Sequence, residues 1–170
     1  MIESMTVDGD RTHQKQGRQP DESNYEWDYG VIAGKGTFDN NRQPSLNHSV
    51  SAINITIRDM TIKSFAGDGI FIGDSGITNN VTVTKSIITD NYRNGISILQ
   101  GTNLYITDNY IDGSMGYWGG GMAVDVEAER DNGNVAENVY IQNNRYKGVI
   151  TSRYCTGRCV NIVINGNIKQ

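Results

Sequence analysis

Short runs of alternating apolar and polar residues recur along the chain, and five of them align without gaps. They are NITIRDMTI (Asn54 to Ile62), NVTVTKSII (Asn80 to Ile88), NLYITDNYI (Asn103 to Ile111), NVYIQNNRY (Asn138 to Tyr146) and NIVINGNIK (Asn161 to Lys169). Each opens on Asn followed by two apolar residues flanking one other: Ile55/Ile57, Val81/Val83, Leu104/Ile106, Val139/Ile141 and Ile162/Ile164. The openings lie 26, 23, 35 and 23 residues apart. Period-2 alternation puts the members of each pair on one face of a strand.

A second series follows the first four blocks: DGIFI, NGISI, GGMAV and KGVIT, with Gly69, Gly95, Gly121 and Gly148 recurring every 26, 26 and 27 residues. Here the alternation points Ile70/Ile72, Ile96/Ile98 and Met122/Val124 inward. Two strand families that advance in phase, with two or three short strands per period, are what a parallel β-helix coil requires. One coil cannot bury its apolar residues alone. Stacking coils about 4.8 Å apart pairs each strand with its successor and sets like residues over one another. At the strand-end position the coils carry Met60, Ser86, Asn109, Asn144 and Asn167, so the last three are placed to form an asparagine ladder capping inward-facing backbone groups.

The start of the chain is less regular. Ile2, Met5 and Val7 match a coil's first strand and Tyr29 to Ile32 its second, leaving Asp8 to Asp28 and Lys35 to Ser49 as polar excursions. The organisation is thus one β-helix domain over 1–170, with an irregular first coil over 1–49 and regular coils over 50–170. Ile2 and Gln170 bracket the coils with no amphipathic cap, which suggests a piece of a longer protein or ends covered by a partner.

Composition agrees with an all-β chain. Twenty glycines against two prolines favour many short strands joined by turns. A net charge of −4, with Lys and Arg scattered, gives no footprint for nucleic acid. No apolar stretch approaches the roughly 20 residues that span a bilayer, so no membrane partner is expected. Cys155 and Cys159 share one short loop able to close a disulfide, although two cysteines do not define an oxidising compartment. His13 and His48 are remote from them and read as surface residues, not zinc ligands.

The repeated N-[IVL]-x-[IV] units, the strands GDGIFIG, RNGISIL and GGGMAVDVE, and the N-x-x-[IY] endings resemble the right-handed parallel β-helix of the pectate-lyase superfamily, particularly its tail-spike, depolymerase and alginate-epimerase-like branches. The resemblance covers roughly residues 50 to 168 and implies a single-stranded right-handed parallel β-helix of five to six coils. It implies no specific chemistry, because that superfamily spans lyases, hydrolases, epimerases and binding-only spikes. Neither the paired-aspartate and GHG pattern of its polygalacturonases nor the DPHE signature of its epimerases is present. The corresponding strand reads MAVDVEAE.

That strand holds the best carboxylate pair. With Met122, Val124 and Val126 inward, Asp125 and Glu127 point outward about 7 Å apart by strand rise. Such a pair suits a general acid and base at a glycosidic bond, or an oxygen-rich Ca²⁺ site that neutralises a uronate. Glu129 extends the row if the strand continues. The competing reading is a solvated acidic ladder paired with Arg130 or Arg153. The same outward face is expected to carry Ser97 and Leu99 on one side and Ile150 and Ser152 on the other. Nearby turns contribute Asp68, Asp74, Tyr92, Arg93, Lys147 and Arg153. Arg93 and Arg153 are candidates for a cationic base or substrate clamp, with Arg153 placed in the catalytic set, while Tyr92, Arg93 and Lys147, with Tyr117 and Trp118 of the GSMGYWGGG insertion, are candidate sugar-binding residues.

The function expected is binding, and cleavage of lyase or glycoside-hydrolase type, of an extracellular or cell-surface polysaccharide. The rival is a non-catalytic structural or adhesive module such as a phage tail-spike segment, either a homotrimer or joined to the rest of a longer chain. An extracellular or virion-associated location goes with either.

Overall fold

The computed structural model describes residues 1–10, 29–34, 51–73, 77–113, 121–129 and 133–170. Among them there is no helix, and every strand pairing is parallel. The chain winds through three sheets in turn. The first stacks Ile2–Glu3, Ser51–Arg58, Ile77–Thr84, Gly101–Thr107, Val135–Gln142 and Arg158–Asn165. The second stacks Thr6–Asp8, Thr61–Lys63, Ile87–Thr89, Tyr110–Asp112, Arg145–Lys147 and Ile168–Lys169. The third stacks Val31–Ala33, Ile70–Ile72, Ile96–Ile98, Met122–Val126 and Val149–Thr151. Strand order in each sheet follows chain order, so every coil lies on the one before it: an all-β parallel β-helix.

Each nine-residue repeat therefore contains a corner. Its N-[IVL]-x-[IV] half belongs to the first sheet and its last residues to the second, giving three strands per coil. The corner residue adopts a left-handed backbone at Asp59, Lys85, Asp108, Asn143 and Gly166, with φ between 52° and 65°. Gly, Asn and Asp tolerate this conformation best, and four of these five positions hold one of them. The first coil divides in the same way: Ile2 pairs with Ile57 in the first sheet and Val7 with Ile62 in the second, while Val31 opens the third opposite Ile70.

The core is a column of stacked aliphatic side chains. Ile55, Val81, Leu104, Val139 and Ile162 are in register, as are Ile57, Val83, Ile106, Ile141 and Ile164, of which Ile164, in the last coil, is exposed. Ile62, Ile88 and Ile111 add the second sheet's row and Ile70, Ile96 and Val124 the third's, all fully buried.

The asparagine ladder forms as expected. Asn109 donates its backbone N–H to Asn144 Oδ1 at 2.9 Å, and Asn144 donates its own to Asn167 Oδ1 at 2.9 Å. The amide nitrogens turn back to main-chain oxygens, Asn109 to Val83 at 2.9 Å and Asn144 to Ile106 at 2.7 Å. Ser86 extends the ladder by donating its N–H to Asn109 Oδ1 at 2.9 Å. A second row of asparagine bonds runs along the Asn that opens each repeat, with Asn103 donating to Asn79 in place of Asn80. Asn54, Asn80, Asn103, Asn138 and Asn161 all have φ between 54° and 60°, and Asn80 donates to Asn54 at 2.7 Å and Asn161 to Asn138 at 2.9 Å. Cys155 and Cys159 form the short-loop disulfide.

One register differs from expectation. Ile96 pairs with Val124 instead of Met122, and the pairing shifts between Met122 and Val124. Ala123 and Val124 both enter the core, whereas Met122 is only half-buried and outside it. The cause is steric: a Cβ on Gly95 would strike Ile111 Cγ2 and the Ala123 carbonyl, so the strands approach closely just before Ile96.

Candidate functional site

The outward row of the third sheet is where polar chemistry collects. In register it reads Ile32, Phe71, Ser97, Asp125 and Thr151. Asp125 and Ser97 are adjacent as expected, but the residue on the far side is Thr151. Ile150 instead pairs with Val124 and packs against the core, because the bulge at Met122 shifts the whole strand. Glu127 lies just beyond the strand end, its N–H donating to Ile98 O at 2.9 Å. The strand stops at Val126, so Glu129 sits exposed at the rim and does not extend the row as a strand residue.

Asp125 is buried at 3% exposure, and its Oδ1 has no hydrogen-bond partner among the described residues. A solvated acidic ladder is therefore not what forms. Two coils away lies Asp68, fully buried in the turn leading into Ile70. Its Oδ1 accepts the Asn94 N–H at 3.0 Å and its Oδ2 lies 3.7 Å from Arg93 Nη1. Asn94 in turn donates its side-chain amide to Ser97 Oγ at 3.0 Å. Asp68, Asn94 and Ser97 thus form a polar chain between the Arg93 turn and Asp125. The only trace of it in the sequence is the D-G and N-G pair, Asp68-Gly69 and Asn94-Gly95, repeated one coil apart, which sets a carboxylate over a backbone amide.

The electrostatics follow from this packing. Burial pushes the Asp125 carboxyl up to about 6, with the Asp68 charge adding and Arg93 opposing. Burial also dominates at Glu127, pushed up to about 8. The Asp125 charge is the next contribution upward, Arg93 opposes, and Asp68 and Glu129 add less.

Among the expected site residues the structure brings together Asp125, Glu127 and Arg93. Arg93, not Arg153, is the cation whose field reaches both carboxyls. Arg153 is exposed in the turn after Thr151, where its N–H bonds Thr151 Oγ1 at 2.9 Å. Lys147 lies apart on the second sheet, 3.3 Å from Asp112 Oδ2, because its strand precedes the corner into the third. Tyr92 is half-buried beside Arg93, its N–H bonded to Phe65 O at 2.9 Å. Tyr117, Trp118, Asp74 and Arg130 lie outside the described residues. Ca²⁺ asks for six to eight oxygens. Among the described residues no three His, Cys, Asp or Glu side chains gather to hold a metal.

Comparison with curated proteins and with solved structures finds no match. Residues 45–169 match the family described as the right-handed beta helix region, which covers all but the first of the coils. By that match and by its three stacked parallel sheets, the chain belongs to the right-handed β-helix family.

Proposed function

We propose that this β-helix is carbohydrate-active, binding a polysaccharide and cleaving its glycosidic bonds at the Asp125–Glu127 pair. One observation carries the reading: two neighbouring carboxyls on one face are displaced upward by different amounts, to about 6 and about 8. At neutral pH that leaves Glu127 protonated and Asp125 largely ionised, the division of labour a glycosidase needs. Glu127 gives its proton to the leaving glycosidic oxygen as the C–O bond breaks, and Asp125 takes a proton from the water that attacks the same carbon.

Asp125→Asn and Glu127→Gln are each expected to lower turnover by about 10²- to 10⁴-fold with the fold intact by circular dichroism. Unchanged turnover in both would remove the pair from the chemistry. A second reading, a non-catalytic structural or adhesive module, is favoured by the 3% exposure of Asp125, since a substrate must reach a buried oxygen. Glycan binding with no product by mass spectrometry supports that reading over cleavage.

A further inference from the structure

We infer that the site takes a sugar ring that carries no carboxylate at the point of cleavage, a neutral or an amino sugar, and rejects uronates. The inference rests on the hydrolytic reading above and narrows its substrate.

With Glu127 protonated at neutral pH, the charges that act on this face are the carboxylates of Asp68 and Asp125 and the guanidinium of Arg93, which lies 3.7 Å from Asp68, with Glu129 exposed nearby. Arg93 is matched to the fully buried Asp68. The neighbours of Asp125 in register, Ser97 and Thr151, bring no charge, and Lys147 is engaged by Asp112 on another sheet. A uronate placed against Asp125 thus meets like charge in a desolvated setting, which disfavours it unless a cation intervenes. The buried Asp125 Oδ1 asks for a donor. It is an acceptor without a donor among the described residues, and an unsatisfied buried acceptor is costly. A sugar hydroxyl or amine supplies an O–H or N–H there, and a ring that turns an ionised carboxylate toward this atom has none to give. Cleavage then proceeds by addition of water, with the glycosidic C–O bond broken and a C–OH bond formed. It does not pass through β-elimination, which draws on a uronate's acidified ring proton.

The test is a panel of a neutral glucan, a chitosan oligosaccharide, polygalacturonate and alginate, presented to the full chain. Turnover is read by reducing ends and by ultraviolet absorbance of unsaturated product, and binding by calorimetry. The neutral or amino polymer is expected to exceed both uronates by about tenfold or more in kcat/KM and in affinity. Asp68→Asn, which releases the charge of Arg93, narrows that gap. Glu129→Lys narrows it from an exposed position, with circular dichroism confirming that the fold is kept. Equal or better action on the uronates, or unsaturated product, overturns the inference and leaves glycan cleavage standing. Absence of turnover on every polymer overturns the cleavage reading, and the binding arm still decides the selectivity.

Discussion

Asp125 occupies a sheet position flanked by Ser97 and Thr151, small polar residues that tolerate burial at little cost. A carboxyl there is expensive to ionise. Its folded value of about 6 stands above the ordinary 3.8, and Glu127 at about 8 stands above 4.5. For groups raised on folding, the stabilising contribution is complete below the unfolded values and is lost as pH climbs through the folded ones. The β-helix is thus expected to weaken from about pH 4 to about pH 8, with Asp125 responsible for roughly 3 kcal/mol of the change. Urea unfolding at pH 4 and pH 8 measures it. Asp125→Asn narrows the difference by the Asp125 share and leaves a Glu127 share, and a wild-type stability that rises over this window contradicts the assignment. Arg93 is the residue that keeps the cost from being larger, and its pairing with Asp68 explains why it faces this cluster and Arg153 does not.

Among the elements, the repeated N-[IVL]-x-[IV] blocks were legible because both of their constraints are local. The aliphatic pair needs period 2, and the opening Asn sits at a left-handed φ that few residues accept. The corner inside each block was not legible. Lys85 occupies it as readily as Asp59 or Asn143, so no single residue type marks it. The slip at Met122 was hidden for a different reason: Met122, Ala123, Val124 and Val126 are all apolar, so period 2 fits either register, and only the closeness of Gly95 to Ala123 decides between them. The strand-end asparagines were legible as a ladder because they recur at one phase. Each closes main-chain groups that the corner leaves unpaired. Asn144→Ala strands the Asn109 N–H and the Ile106 carbonyl together, and is expected to cost about 2–4 kcal/mol by chemical unfolding. A loss below about 0.5 kcal/mol shows that the ladder is not holding the corner.

Across the whole molecule, the site exists only because coils stack in register. Asp68, Arg93 and Asp125 come from three successive coils and are remote in the chain, so no local motif announces them. The sequence supplied Asp125 and Glu127 as a pair on one strand, and Arg93 as a loop cation among several. Choosing Arg93 over Arg153 and Lys147, and finding Asp68, requires knowing which turns lie over which strand. That placement is set by the bulge and by the corners, the two features least visible in the sequence. The most direct measurement is an NMR titration of the Asp125 carboxyl in the wild type, in Arg93→Gln and in Asp68→Asn. Stacked coils predict a midpoint near 6 in the wild type, higher without the Arg93 charge and lower without the Asp68 charge. A midpoint near 3.8 that neither substitution moves would show that these three residues do not share a face.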